Sequence, residues 1–159
     1  MRILGIDPGY ATVGFGVVEY DGYKFTPVRY GAIKTSPNME FCMRLKTVYD
    51  DTEELLRCYN PDFMSIEKLF FNTNHKTAID VSQARGVILV AAANAGIPVY
   101  EYTPLQVKQS VVGYGRAEKL QVTEMVRQIL SLNEIPRPDD AADALAIAIC
   151  HGHSKRMNN

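Results

Sequence analysis

The sequence has few cysteines and no long apolar run. Its three cysteines are an odd number without the paired spacing of a zinc site, which argues against a disulfide framework and a zinc knuckle. We therefore interpret Cys42, Cys58 and Cys150 as small core residues. No stretch of eighteen apolar residues occurs, so no membrane-spanning helix is predicted. The amino terminus enters a strand pattern without the apolar segment of a signal peptide, and we expect a cytosolic protein.

An excess of basic residues is also missing, since the net charge is −1. Most nucleic-acid-binding proteins carry such an excess, although an even balance can conceal a basic face opposite a group of acids. With 159 residues and a hydrophobic composition of 47%, the chain has the size of one compact domain. We expect a single domain over 1–159, with a short disordered tail over about 154–159.

Hydrophobic periodicity predicts five strands and five helices in the order β-β-β-α-β-α-β-α-α-α. Asp21-Gly22 is a two-residue hairpin turn between the second and third strands, and Asn60-Pro61 ends the first helix. The predicted strands are 2–7, 13–20, 23–36, 63–67 and 97–102, and the predicted helices are 39–59, 77–95, a short one from 103, 117–130 and 140–151.

This order of elements predicts an α/β fold with a five-stranded mixed sheet and helices on both faces. In such sheets ligands bind at the carboxyl ends of parallel strands, near the point where the strand order reverses. Asp7 ends the first strand and Glu67 ends the fourth. If these two strands are neighbours, the two carboxylates face each other.

The last helix adds Asp140 and Asp143, which are three residues apart and share one helix face. Each acid has an ordinary explanation when it is taken alone. Asp7 begins the common turn sequence Asp-Pro-Gly, Glu67 could be a surface acid, and Asp140 could complement the amino-terminal end of a helix dipole. Together, however, an acid at the end of each of two neighbouring strands and a pair on one helix predict a shared pocket.

Several carboxylates in one pocket favour a divalent cation. Three or four of them within about 5 Å repel one another by several kcal/mol, and a cation relieves this repulsion. Oxygen ligands without His or Cys select Mg²⁺ or Mn²⁺ over Zn²⁺. Two ions about 4 Å apart would activate a water on one side of a phosphodiester and stabilise the departing oxygen on the other. The acids therefore predict phosphodiester hydrolysis.

Five motifs resemble the RuvC family of bacterial Holliday-junction resolvases, in the order and spacing of that family over residues 2–153. They are GIDPG, SIEKLFF, SQARGVILVAAA, VKQSVVGYGRAEK and DDAADALAIAICH. The resemblance implies a ribonuclease H-like fold, a homodimer and Mg²⁺-dependent paired, symmetric nicks across a four-way DNA junction during recombination and repair. It also implies cooperation with the RuvA and RuvB branch-migration proteins and a preference for thymine-containing sites.

The same resemblance assigns residues to the site. The four catalytic and metal-binding acids of the family fall on Asp7, Glu67, Asp140 and Asp143. Asp139 is an additional acid beside the third of them, so the choice of Asp140 rests on the DAAD spacing. The family also has an aromatic residue that inserts into DNA, which matches Phe70, and basic residues that match Lys108 and Lys119.

The residues themselves are consistent with DNA contacts. Phe70 and Phe71 precede a turn-prone segment, and one of them could wedge between unstacked bases while the other completes a strand; which one does so is open. Any single basic residue could simply be solvated, but seven of them could form a phosphate-binding face. These are Lys68, His75, Lys76, Arg85, Lys108, Arg116 and Lys119.

The second half of the helix predicted over 77–95 is apolar nearly all round and must be covered on more than one side. It lies either between the sheet and another helix or at a subunit interface. A junction has two like strands related by a twofold axis, so a C₂ dimer would supply two matching sites.

Three other functions fit parts of the sequence. A phosphotransferase of the actin and hexokinase type opens with a similar strand and hairpin, but it needs two domains of this kind. A non-catalytic DNA-structure binder could keep the fold, although the acids are intact. Another ribonuclease H-like nuclease, such as an integrase or a hybrid nuclease, would share the carboxylates. The segment VVGYGRAEK lacks the spacing of a Walker motif, so it predicts no nucleotide site.

Overall fold

Five strands and five helices, in the predicted order, make up the described part of the chain. The structure is a computed structural model that describes residues 1–69 and 75–156, without the side chains of residues 75, 76 and 156. The strands are β1 (Arg2–Asp7), β2 (Thr12–Tyr20), β3 (Phe25–Lys34), β4 (Phe63–Glu67) and β5 (Val99–Tyr102). The helices are α1 (Phe41–Tyr59), α2 (His75–Asn94), α3 (Pro104–Val112), α4 (Lys119–Ile129) and α5 (Asp139–Arg156).

The strands form one mixed sheet in the order β3-β2-β1-β4-β5. β1, β2 and β3 pair antiparallel, whereas β4 pairs parallel with both β1 and β5. The predicted mixed sheet is therefore confirmed, and β1 and β4 are neighbours, which was the condition for Asp7 and Glu67 to face each other. The carboxyl ends of β1 and β4 lie at the same edge of the sheet, and this edge is where the strand order reverses.

Alternate residues of each strand point to opposite faces of the sheet. Both faces are apolar, and helices cover both. Ile3 of β1 packs in one core with Ile147 of α5 and with residues of α3 and α4. Leu4 packs in the other core with Val48 of α1 and Ile88 of α2. Within the described ranges no helix is long and apolar enough to cross a membrane.

The last helix is longer than predicted, since α5 continues to Arg156 instead of ending at 151. Its last turns are held in place, because the Ser154 hydroxyl donates to the Cys150 carbonyl oxygen and the Lys155 ammonium lies 4.5 Å from the Tyr100 ring centre. Residues 154–156 are thus helical where a disordered tail was predicted. β3 begins at Phe25 and not at 23, because the Asp21 carboxylate accepts from the backbone at 23 and 24 and holds them in the turn. It ends at Lys34, two residues earlier than predicted.

The prediction that all three cysteines are core residues is wrong for two of them. Cys150 is buried, whereas Cys42 and Cys58 are exposed. The buried face of α1 repeats every four residues from Arg44 to Leu56. The two exposed cysteines lie two residues outside this repeat, on the opposite side of the helix.

His151 is fully buried near the end of α5. Its Nδ1 lies 2.7 Å from the Tyr102 hydroxyl oxygen, and its Nε2 has no hydrogen-bond partner among the described residues. The rings of Tyr100 and Phe63 lie 4.6 Å and 5.0 Å from the imidazole. Burial, with the Lys155 charge as a second cause, lowers the pKa of His151 from 6.5 to about 4. The imidazole is therefore neutral at physiological pH.

We expect His151 to weaken the protein in mild acid. Between about pH 6.5 and pH 4 the unfolded chain binds a proton that the folded chain excludes, so the free energy of unfolding falls as the pH decreases. The slope from this one group is about 1 kcal/mol per pH unit. Urea unfolding of the wild type and of His151→Phe at several pH values measures it. An equal slope in both proteins would contradict the assignment of this pH dependence to His151.

Candidate active site

Glycines let α5 approach the sheet closely at the edge where β1 ends. A Cβ atom at Gly14 would lie 2.0 Å from the Asp140 carbonyl oxygen, and one at Gly5 would lie 2.0 Å from the Ala144 carbonyl oxygen. Any larger residue at these positions would push the helix away. The helix backbone therefore rests directly on β1 and β2, and this contact brings Asp140 and Asp143 to the end of β1.

Strand register places two further acids on the face that α5 covers. Asp7 lies directly opposite Gly14 in the antiparallel pair, so both point to the same face. Ile6 and Ile66 are partners in the parallel pair and both pack in the core on the other face. Because side chains alternate along a strand, Glu67 points to the face of Asp7. The Asp-Pro-Gly sequence thus ends β1 and also places the Asp7 carboxylate among the other acids.

The pKa values show that these acids share one environment. Burial raises the pKa of Asp7 from 3.8 to about 8, and repulsion from Asp143, Glu67 and Asp140 adds to the effect. Burial also raises the pKa of Glu67, with Asp143 as a further cause. The pKa of Asp143 is raised mainly by burial, against an opposing hydrogen bond from Lys119. Strongly shifted acids of this kind are typical of functional sites.

Asp139 and Asp140 differ in their positions. Asp140 is half-buried and its backbone and Cβ lie within 3 Å of the place where a Gly14 side chain would begin. Asp139 is exposed. The structure therefore brings Asp140, and not its neighbour, against the strands that carry the other acids.

The donor set suits a hard divalent cation, because it consists of carboxylate oxygens that repel one another. Across the ranges 1–69 and 77–155, however, no three His, Cys, Asp or Glu side chains are already gathered closely enough to hold one ion. The acids thus fit such a metal in chemistry and charge, and their side chains must draw together to coordinate it.

Two predicted DNA-binding lysines flank the acids. The Lys119 ammonium donates a 3.1 Å hydrogen bond to Asp143 Oδ2, and the positive charges of Lys108 and Lys119 lower the pKa of Glu67 against the effect of burial. Between these groups lies a cavity of about 250 Å³. It is lined by Glu67, Pro104, Val107, Lys108, Lys119, Val122, Asp143, Ala146 and Ile147. Charged groups therefore surround a space with an apolar floor.

The other predicted DNA contacts differ in accessibility. Arg85 lies beside the end of β4, but its guanidinium donates to the Glu67 carbonyl oxygen at 3.3 Å and to the Glu101 carboxylate, so the protein already engages it. Lys68 and Arg116 are exposed. Phe70 and Phe71 lie outside the described residues, as do the side chains of His75 and Lys76.

A network that the sequence does not predict supports the loop after Asp7. Arg44 is buried in the first turns of α1. Its Nε donates a 2.9 Å hydrogen bond to the Thr35 hydroxyl, and its guanidinium lies 4.9 Å from the centre of the Tyr10 ring. The Thr35 hydroxyl in turn donates to the Tyr10 carbonyl oxygen. A basic residue in an amphipathic helix gives no sequence signal for such a role.

Larger cavities in the described part of the chain lie away from these acids. One of about 430 Å³ lies at the amino-terminal end of β1, where Arg2 pairs with Glu19 and its backbone N–H donates to the Asp62 carboxylate. Another, of about 580 Å³, lies between α3 and α5 beside the buried Cys150, and a third, of about 340 Å³, lies between α1 and β3. None of these three is lined by the four predicted catalytic acids, so the cavity of about 250 Å³ is the one that matches the chemistry.

Comparisons with known proteins agree with this geometry. Residues 3–151 match the family model described as crossover junction endodeoxyribonuclease RuvC. A protein of that name from Caldanaerobacter subterraneus subsp. tengcongensis is 57% identical over 157 residues, which cover 99% of this chain and 95% of the relative. Its namesake from Ruminiclostridium cellulolyticum is 59% identical over 157 residues, with the same coverage of both chains.

A solved structure resembles this chain in fold and in sequence. Thermus thermophilus RuvC in complex with Holliday junction substrate superposes with a TM-score of 0.95 at 42% sequence identity, and the match covers 99% of this chain and 96% of that one. Together with the five-stranded mixed sheet, this similarity confirms the predicted α/β, ribonuclease H-like fold.

Proposed function

Because the chain belongs to the RuvC family of crossover junction endodeoxyribonucleases, we propose that its hydrolysis of junction DNA depends on Mg²⁺ held by Asp7, Glu67, Asp140 and Asp143. The enzyme is a nuclease that resolves Holliday junctions. The single observation that carries the proposal is the convergence of four acids from β1, β4 and α5, where burial first, and then repulsion from the other three acids, raises the pKa of Asp7 to about 8.

The acids have a defined task in this proposal. They supply oxygen ligands, and two Mg²⁺ ions, or Mn²⁺ as a substitute, would activate a water and stabilise the leaving oxygen when bound. Burial raises the pKa of Asp7 to about 8 and also raises the pKa of Glu67 and of Asp143. Without metal, Asp7 therefore holds a proton at neutral pH that binding of a cation would release. The α5 backbone resting on Gly14 keeps two of the ligands in register with the other two.

Basic residues around the acids would hold the DNA backbone. Lys108 and Lys119 border the 250 Å³ cavity, and the exposed Arg116 lies in the loop between α3 and α4. Phosphate contacts of this kind position a duplex without reading its sequence. Phe70 as the inserting aromatic and Lys76 as a phosphate contact remain predictions from the family resemblance.

We propose that α2 forms the homodimer interface. One face of α2 is buried within the subunit, where Ile88 packs in the core. The opposite, outward face carries exposed residues at alternating spacings of four and three, which is the pattern of a helix-pairing seam. On this outward face Ile79 is 58% exposed and Val90 is 53% exposed. This exposed stripe consists of Ile79, Gln83, Gly86, Val90 and Ala93. Burial within the subunit thus explains one apolar face of α2, and the proposed subunit interface explains the other.

Three further expectations follow from the family resemblance and the substrate. The chain would act as one nuclease domain, would cooperate with the RuvA and RuvB proteins, and would work in the cytoplasm, where bacterial chromosomal DNA is found. These properties suit an enzyme that acts in homologous recombination and DNA repair.

Cleavage of different nucleic acids tests the proposed function. With Mg²⁺ present, we expect paired, symmetric nicks in a four-way junction and none in a plain duplex of the same arms. Preferential cleavage of an RNA:DNA hybrid would instead indicate another ribonuclease H-like nuclease. Junction binding without nicking would indicate a non-catalytic binder, and binding of ATP would indicate a phosphotransferase.

A further inference from the structure

Lys119 makes a direct contact with one of the proposed metal ligands. Its ammonium nitrogen lies 3.1 Å from Asp143 Oδ2, and this hydrogen bond is the main reason that the pKa of Lys119 is raised. Asp139 and Asp7 contribute further attraction. The ammonium thus interacts with several acids of the cluster and not only with its nearest partner.

The position of Lys119 is unusual for a cation. It is the first residue of α4, and the positive end of a helix dipole disfavours a positive charge there. The backbone at this point is pinned by a capping box between Glu118 and Gln121, whereas the Lys119 side chain is 61% exposed. The acids therefore supply the attraction that holds this exposed ammonium group in place.

A metal ion and this ammonium group compete for the same carboxylate. Asp143 is a proposed ligand whose Oδ2 already accepts a hydrogen bond from Lys119. Over 1–69 and 77–155 the acids are not gathered around one point, so a cation that draws them together pulls Asp143 away from Lys119. A divalent ion brings twice the charge into the cluster and repels the ammonium.

We propose that Lys119 acts as a built-in cation that occupies Asp143 in the metal-free enzyme, and that metal binding displaces it onto a backbone phosphate of the junction. This inference rests on the proposed function, since it needs Asp143 to be a metal ligand. Because such coupling is reciprocal, a phosphate that attracts Lys119 also frees Asp143 and favours metal binding. DNA and metal would then assemble the active site together.

Calorimetric titration with Mg²⁺, without DNA, tests the competition. Lys119→Met removes both the charge and the contact with Asp143, so we expect Mg²⁺ to bind roughly tenfold more tightly than to the wild type. Lys108→Met is the matched control, because Lys108 borders the same cavity and lowers the pKa of Glu67 by charge alone. Its Mg²⁺ affinity should change less than about threefold.

A second measurement uses the unmodified enzyme. Acetylation of individual lysines, followed by mass spectrometry, should show that saturating Mg²⁺ makes Lys119 react several-fold faster while the rate at Lys24, in the hairpin turn at the opposite edge of the sheet, stays constant. An equal gain in Mg²⁺ affinity in Lys119→Met and Lys108→Met would overturn this inference alone. An acetylation rate at Lys119 that Mg²⁺ leaves unchanged would do the same. A wild-type chain that binds no Mg²⁺ would overturn the proposed function as well.

Discussion

The Asp7→Asn variant is expected to cleave a four-way junction at least a thousandfold more slowly than the wild type, while it binds the junction with similar affinity. The substitution removes a ligand charge from the centre of the acid cluster without removing a DNA contact. Single-turnover cleavage of a labelled junction, beside a binding titration in chelator, separates the two effects.

The same variant should be more stable than the wild type when no metal is present. Burial and neighbouring acids raise the pKa of Asp7 from 3.8 to about 8, so the folded chain holds a proton that the unfolded chain releases. The free energy of unfolding from this group therefore falls as the pH rises from about 4 to 8. Asn removes this penalty, and thermal unfolding in chelator at pH 8 should show a gain on the order of a few kcal/mol.

Asp139→Asn is the matched control for both measurements. It makes the same chemical change one residue from Asp140, at a position that is exposed. Its cleavage rate should stay within a few-fold of the wild type and its stability should change little. Rapid cleavage by Asp7→Asn, or equal losses in both variants, would refute the assignment of the site.

The Val90→Glu variant is expected to be monomeric and to lose paired cleavage. The substitution places a charge in the exposed α2 stripe, and a twofold axis through the stripe would bring two such charges together. Each junction would then receive single, uncoordinated nicks in place of two symmetric ones. Analytical ultracentrifugation reports the mass, and a cruciform plasmid distinguishes nicked from linear products.

Val28→Glu is the control for this prediction, because Val28 is also an exposed valine but lies on the edge strand β3. This variant should remain dimeric and should linearise the plasmid normally. A Val90→Glu protein that keeps the wild-type mass would move the interface away from α2.

Much of this site could be predicted because it follows from local patterns. Strand endings at Asp7 and Glu67 predict that the two carboxylates face each other if β1 and β4 are neighbours, and the fold meets this condition. The close approach of α5 could not be predicted in the same way, since it depends on Gly14 meeting a backbone oxygen from a distant segment.

Contacts between distant side chains account for what sequence reasoning missed. The hydrogen bond between Arg44 and Thr35 and the ion pair between Lys119 and Asp143 join segments whose separation in the chain carries no periodic signal. Arg85 remains a predicted phosphate contact, and the fold shows that its guanidinium also pairs with Glu101. Charge indicates what a residue can bind, and only the fold shows which partner is within reach.

One measurement tests most directly whether a divalent cation in the acid cluster performs the cleavage. The wild-type protein is bound to a labelled four-way junction in chelator, and Mg²⁺ is then added in excess. We expect stable binding without nicking before the addition, and paired symmetric nicks after it. Junction cleavage that proceeds at full rate in chelator would show that the reaction needs no divalent cation.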